Sequence, residues 1–337
     1  MQRKLASIKT ITNIRPIEGA DKIELASVGG WNVVVAKDVG HKVGDLVVYC
    51  EIDSFLPIRE EFEFLRKNSY RKMLDREGFR LRTIIMRNQV SQGLILPLHI
   101  LPFGETYHEG QDVTEILGIL KYEPPIPAEL QGEVKGDFPA FIFKTDEERV
   151  QNLENELPSI RNSGRTFYAT EKLEGTSSTF YIRDGEFGIC SRNLEFLETE
   201  KNTFWRVARE IDLERKMRSF QKNFALQGEL IGEGIQGNPY KIKGQTVRFF
   251  NVFDIDTSQH LDLERFKWVI SYLGLETVPI LDENFVIPET ISELLDIADG
   301  KSQLNSDMWR EGIVIRSHDR KISFKVISNK YLLKNDG

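Results

Sequence analysis

Apolar and polar positions in the N-terminal part of the chain alternate with the two-residue period of half-buried strands. Lys22–Val28, Trp31–Ala36 and Leu46–Cys50 each read as a strand, with turns at Gly29 and Gly30 and between Gly40 and Gly44. Arg80–Met86 and Gly93–Pro97 supply further strands, so residues 1–103 predict a small β-barrel. Between 104 and 139 the pattern gives way to prolines at 124, 125 and 127, scattered glycines and an acidic excess, which predicts a linker. Past it the period lengthens. Thr199–Ile211 and Leu261–Leu273 space their apolar residues as helices do, the first burying Phe204, Val207 and Ala208, the second Leu263, Phe266, Val269 and Ile270. Strand-like runs at Phe180–Ile182, Val247–Phe253 and Gly312–Arg316 fall between the helices, so residues 140–337 are expected to form an α+β domain on antiparallel sheets.

A length of 337 residues with 40% hydrophobic content supports one ordinary core in each of two domains, and the strand count of the first fits an OB-fold. Cys50 and Cys190 lie in apolar or strand-like stretches without a Cys-x-x-Cys pair or a nearby histidine, which argues against disulfide or zinc frameworks and for a reducing, cytoplasmic compartment. The N-terminus lacks the apolar core of a signal peptide, and no run of about 18 apolar residues predicts a membrane span. The net charge of −7 conceals one basic segment. From Arg66 to Arg87, eight arginines and lysines face two acids, interleaved with Tyr70 and Phe79. Such a composition neutralises phosphates and stacks bases, although charge runs also serve as solvated faces.

The candidate chemistry centres on Lys172. Its pattern, Lys-x-x-Gly, recurs at Lys37, Lys241 and Lys334, but only after Lys172 do spaced carboxylates and another lysine follow. An amine attacks phosphorus only when deprotonated, so it needs neighbouring positive charge or desolvation. Lys325, on the alternating strand Ile322–Ile327, is the candidate charge; its own stretch reads equally as an edge strand with a surface lysine. Glu229 and Glu311 border apolar strands, where each alone also reads as a salt-bridged strand end. Gathered with Glu174 around a phosphate they would repel one another without a cation, which predicts Mg²⁺ or Mn²⁺ held directly or through water. Phe253 offers a face for a purine or a piece of core. Arg192 sits on a loop, in reach of ribose or phosphate or simply solvated, and Arg149 suits a bidentate grip on a diphosphate. Gly232–Gly237 matches Gly-x-Gly-x-x-Gly but runs into Asn238, Pro239 and Tyr240 instead of a helix, so dinucleotide binding is rejected.

In order, Lys172–Gly175, Ser191–Asn193, Gly228–Leu230, Phe253–Asp254, Glu311–Val314 and Phe324–Lys325 resemble the motifs of covalent nucleotidyltransferases, the superfamily of ATP-dependent DNA and RNA ligases and mRNA capping enzymes. DNA ligases and capping enzymes carry an OB domain after the last motif, where only Val326–Gly337 remain here. An OB-like domain ahead of the catalytic one, with Thr145–Asn152 at the junction, is similar to ATP-dependent RNA ligases of the Deinococcus and Naegleria type.

That resemblance implies that Lys172 is adenylylated in a nucleotide pocket including Glu171, Gly175 and Arg192, and that Glu174, Glu229 and Glu311 hold a hydrated metal. It also implies that Phe253 stacks on adenine, Lys325 contacts the α-phosphate and Arg149 orients pyrophosphate. ATP and Mg²⁺ or Mn²⁺ would be the cofactors and RNA the partner of a monomer, with Arg71, Lys72, Arg80, Arg82 and Arg87 as RNA contacts. Two positions depart from the pattern: Glu174 stands where aspartate is commonest, and Ile327 where related ligases often have a second lysine. A DNA nick ligase, a capping-type guanylyltransferase and a non-catalytic RNA-binding protein are the alternative readings.

Overall fold

The structure, a computed structural model, describes residues 4–73, 75–123 and 132–335. It divides into one unit of Met1–Pro125, Val150–Glu156 and Leu332–Gly337, and a second of Ile126–Arg149 and Leu157–Tyr331.

In the first unit, β1 (Ala6–Pro16), β2 (Ile23–Val28), β3 (Trp31–Ala36), β4 (Leu46–Cys50) and β10 (Leu94–Leu96) form a sheet in the order β10-β4-β1-β2-β3. A second sheet runs β11-β5-β7-β6, from β5 (Ser54–Pro57), β6 (Tyr70–Met73), β7 (Arg76–Arg80) and β11 (Leu120–Lys121). A short helix α1 (Arg66–Ser69) precedes β6. The expected strand Arg80–Met86 is broken at Leu81 and Arg82: β7 ends before them, and β8 (Thr83–Met86) opens a separate hairpin with β9 (Gln89–Gln92). Alternation does its usual work in β3, where Trp31, Val33 and Val35 are buried and Asn32 and Ala36 exposed.

The expected linker at 104–139 is corrected by the structure. Val113, Leu117 and Ile119 are buried in the core of the first unit with Val48, Leu56 and Phe79, and β11 pairs with β5. The Thr114 hydroxyl accepts the backbone N–H groups of Leu5 and Ala6, each at 3.0 Å. Glycines and acids here mark turns of a packed segment. The three prolines lie outside the described residues, and β12 (Val134–Asp137) already belongs to the second unit.

Val150–Glu156 is packed with the first unit through polar anchors. The buried Trp31 indole N–H donates to Asn152 Oδ1 at 2.7 Å, and Asn152 Nδ2 donates to Oε1 of buried Glu51. Gly30 N–H donates to the Gln151 carbonyl at 3.2 Å.

The second unit has two antiparallel-rich sheets. One runs β12-β17-β16-β15-β18-β19-β20, from β15 (Thr176–Arg183), β16 (Glu186–Cys190), β17 (Leu194–Phe196), β18 (Phe224–Gly232), β19 (Gln245–Asp254) and β20 (Gln259–His260). The other runs β13-β23-β22-β14-β21, from β13 (Glu148–Arg149), β14 (Phe167–Lys172), β21 (Ile280–Phe285), β22 (Gly312–Ser317) and β23 (Ser323–Ile327). Helices α2 (Leu157–Arg161), α3 (Thr203–Glu210), α4 (Leu213–Ser219), α5 (Leu263–Tyr272) and α6 (Ile291–Ala298) complete it. The main core joins Phe204, Val207, Ala208, Leu263, Phe266, Val269 and Ile270 to Phe180, Leu226 and Phe249 of the strands, the helical residues being those the periodicity picks out. Both helices start later than the apolar pattern does, because Asn202 and Asp262 take extended backbone and cap them, accepting N–H bonds from Phe204 and Trp205 and from Arg265.

Two outcomes follow for stability. Asn152→Ala removes both anchoring bonds and is expected to cost about 1–3 kcal/mol, read as a lower denaturation midpoint of the first unit. In the second unit, burial and then Arg320 and Arg316 push the His260 imidazole down from 6.5 to about 3. The unfolded chain therefore takes up a proton below about pH 6.5 that folded His260 refuses, so stability is complete above 6.5 and is lost as pH falls towards 3. His260→Gln should flatten thermal melts across that window, and an unchanged slope would refute the assignment.

Candidate active site

Lys172 ends β14 opposite Gly312 of β22, and this register puts it beside Glu311. Lys172 Nζ lies 2.7 Å from Glu311 Oε1, with side-chain exposures of 27% and 17%. Gly312 is required there: a Cβ would stand 2.1 Å from the Val326 carbonyl oxygen. β23 lies against β22 on one side and against β13, in parallel, on the other, so Arg149 and Lys325 are register partners. Two cations thus share one stretch of the sheet that carries Lys172.

The other sheet contributes Glu229, from β18 and paired with Ser177 of β15. The Lys172–Gly175 turn approaches β18 so closely that a Cβ on Gly175 would be 2.5 Å from the Leu230 carbonyl oxygen and 2.8 Å from Glu229 Cγ. The turn is held by Tyr240, whose buried hydroxyl accepts the Glu174 N–H at 2.6 Å. Tyr240 belongs to the loop after the glycine-rich decoy. That loop connects β18 to β19 and positions the nucleophile turn.

Burial disfavours the ammonium of Lys172, yet Glu311 and Glu229 outweigh it and hold its pKa above the ordinary lysine value. This corrects the expectation that nearby positive charge depresses it in the resting protein: carboxylates, not Lys325, dominate its surroundings. Burial, with Glu311 and Glu147 adding and Lys172 opposing, pushes Glu229 up to about 8. Its surroundings therefore favour the protonated form of Glu229.

Glu147, Arg316, Arg320 and Tyr240 are residues that sequence reasoning missed. Arg316 is only 2% exposed and donates to Glu147 Oε1 at 2.7 Å and to the Thr170 hydroxyl at 3.0 Å. Burial would raise the Glu147 pKa, but Arg316, Lys325 and Arg320 hold it below the usual carboxylate range. Arg320 donates to Tyr168 at 2.9 Å and to Asn251. The available signal was Arg316 itself, a charge inside an apolar strand that requires a carboxylate.

Other expected residues are placed differently. Glu171 precedes Lys172 on a strand, so its side chain turns to the opposite face. There its Oε2 accepts the Gln303 N–H at 2.7 Å, and burial raises its pKa. Phe253 is wholly buried, with Phe143 at 5.2 Å and His260 at 5.1 Å between ring centroids. The exposed ring beside it is Phe143, at 56%, and Phe253 itself offers no open face to a base. Arg192 is paired with Asp146. Ile327 is buried at 4% and pairs with Gly312, so it is core.

In the first unit, Phe79 is core and Tyr70 lies under the Arg66 guanidinium, which removes both as free stacking faces. Arg80 sits 4.5 Å from the Tyr122 ring and 3.3 Å from Asp53, and Lys72 pairs with Glu77 at 3.0 Å. Arg71 and Arg87 are exposed and Arg82 partly so; Arg87 and Asn88 form the left-handed turn of the β8–β9 hairpin.

Among the described residues no three His, Cys, Asp or Glu groups converge to hold a metal ion directly. Glu229 and Glu311 both act on the Lys172 ammonium, and Glu174 and Glu311 on the Tyr240 hydroxyl, an acidic surround suited to a hard cation that keeps its water.

Comparisons with known proteins place the chain in a family. A family profile described as an OB-fold domain matches residues 5–98, and one described as RNA ligase matches 165–332. Among curated proteins, none matches the chain. Solved structures of Naegleria gruberi RNA ligase do match. One with pyrophosphate is 44% identical with a TM-score of 0.90, each chain covered to 99%. A variant with AMP and Mn is 44% identical, TM-score 0.91, again with 99% of each chain covered. A variant with ATP and Mn is 43% identical, TM-score 0.91, with the same coverage. At 43–44% identity over nearly the whole of both chains, with the RNA ligase profile on residues 165–332, the chain belongs to the RNA ligase family.

Proposed function

We propose that this protein is an ATP-dependent RNA ligase that joins a 3′-hydroxyl to a 5′-phosphate. The observation that carries the reading is the Lys172–Glu311 pair at 2.7 Å, flanked by Glu229 and by the Arg149–Lys325 register pair. In the first displacement Lys172 Nζ loses its proton and attacks the ATP α-phosphorus; a phosphorus–nitrogen bond forms and pyrophosphate leaves. In the second, an oxygen of the RNA 5′-phosphate attacks that phosphorus and lysine leaves, giving a 5′-to-5′ diphosphate. In the third, the 3′-hydroxyl attacks the RNA phosphate, AMP leaves and the strand is sealed.

This chain's residues supply positioning and charge. Glu311 holds the lysine until attack, and its withdrawal lets Nζ lose the proton that Glu311 stabilises. Arg149 and Lys325 line up along the triphosphate, Lys325 at the α-phosphate and Arg149 at the departing pyrophosphate. Mg²⁺ or Mn²⁺, held through water by Glu174, Glu229 and Glu311, would supply counter-charge to the carboxylates and the α-phosphate. RNA bound along Arg71, Arg82 and Arg87 is the acceptor of a monomeric enzyme in a reducing compartment, a setting supported by the free buried thiols of Cys50 and Cys190.

Incubation with α-labelled ATP and Mg²⁺ should leave an acid-labile covalent label that Lys172→Ala abolishes. Wild-type-like labelling of that variant would overturn the assignment, and labelling from GTP alone would indicate capping chemistry. Charge reversal at Arg71 and Arg87 should weaken strand sealing at least tenfold and leave self-adenylylation intact, because these guanidiniums serve phosphate binding. Arg80→Glu, by contrast, should depress both activities through misfolding, since it sets a carboxylate against Asp53.

A further inference from the structure

The outer surface of the second unit carries an aromatic platform with no role in the chemistry above. On α5 the inward residues Leu263, Phe266, Val269 and Ile270 complete the core, so the helix is already anchored. Its outward residues Trp268 and Tyr272, one turn apart, are nevertheless large rings, 58% and 56% exposed. They stack at 5.3 Å with planes 17° apart, and Phe220, just past α4, lies 6.1 Å from each. Trp and Tyr are weaker helix formers than Lys or Glu and gain little from burial at such exposure, so neither propensity nor packing accounts for them.

The charge beside these rings indicates the occupant. Lys222 Nζ lies 6.0 Å from the Phe220 ring, and Lys216 reaches the Gly274 carbonyl at 3.4 Å, at the end of α5. Among the described residues neither lysine is paired with a carboxylate. Exposed aromatic faces beside lysines that no carboxylate neutralises are what an unpaired polynucleotide requires: bases stack on the rings and phosphates lie along the cations. A protein partner would be expected to require a wider apolar patch with fewer bare charges.

We infer that Trp268, Tyr272 and Phe220, with Lys216 and Lys222, form a second RNA-binding site that takes an unpaired stretch of the RNA substrate by base stacking. The inference rests on RNA being the substrate, but not on the role of Lys172. Stacking reads the face that every base shares, so the site confers affinity without sequence preference.

The test is titration of the full-length protein with a short oligouridylate carrying a 5′-hydroxyl, which cannot be joined. Trp31 and Trp205 are buried, so quenching of tryptophan fluorescence on binding reports chiefly on Trp268 and Trp309. Trp268→Ala should remove most of the quench, and Trp268→Ala with Tyr272→Ala should weaken affinity, measured by anisotropy of labelled RNA, by about 5- to 100-fold. Trp268→Phe should retain binding, Lys222→Glu should weaken it and reduce its salt dependence, and all variants should self-adenylylate like wild type. Unchanged RNA affinity in the double variant would overturn the site. So would loss of protein self-association in that variant, at unchanged RNA affinity, which would assign the rings to contact between copies of the chain. Failure of wild-type self-adenylylation with the quench intact would remove the ligase reading and leave the site standing.

Discussion

The catalytic sheet depends on one buried charge. A guanidinium cannot shed its proton, so placing Arg316 at 2% exposure inside β22 obliges the fold to bring a carboxylate to it. Glu147 meets that demand at 2.7 Å, and Thr170 takes a second N–H. Both partners lie two residues from a member of the site. Thr170 shares a strand face with Lys172, and Glu147 fixes the start of the strand on which Arg149 runs beside Lys325. Losing Glu147 would strand a buried charge at a cost of about 3–5 kcal/mol, which ties the strand ends carrying Lys172, Arg149 and Lys325 to one ion pair.

Charge pairing also sets the surroundings of Lys172. Glu311 and Glu229 favour its ammonium, while burial and acidic neighbours favour the protonated form of Glu229. The group is thus close to neutral before substrate arrives, as a partly desolvated site must be. In the proposed reaction, phosphates entering beside Lys325 and Arg149 would compete with the lysine for the carboxylates' surroundings. On that reading, activation of the amine depends on occupancy of the site, since its standing surroundings favour the ammonium.

Candidate site residues stand out where chemistry repeats in sequence order, and the fold was legible where one periodicity dominates. β3 and the buried faces of α3 and α5 follow directly from spacing, because each buries one face only. Residues 104–123 did not, since the glycines and acids that punctuate them are shared by linkers and packed loops, and only tertiary contact with Val48 and Leu56 separates the two. Lys172, Glu229, Glu311 and Lys325 were singled out because ordered motifs name them, and Arg149 by its place at the domain junction; the structure sets Lys172 beside Glu311 and Arg149 beside Lys325. Tyr240, Glu147 and Arg316 were not, because their roles come from partners distant in sequence: Glu174, Arg316 and Thr170. Phe253 and Glu171 show the converse limit. Each lies in a motif, but strand alternation and the Phe143 ring decide what their side chains meet.

Arginine and aromatic residues can serve either cohesion or recognition, and sequence composition does not distinguish the two. Between Arg66 and Arg87 several basic residues are committed internally: Arg66 covers Tyr70 and Phe79, Arg80 covers Tyr122 and Lys72 answers Glu77. What remains for a polyanion is fewer residues than the charge count implied, on edges and a hairpin turn. On α5 the reverse holds, where two rings in an unremarkable helical pattern prove surplus to the core. Candidate recognition residues are those left after the fold has satisfied its own pairs, so a binding surface has to be sought by subtraction as well as by motif.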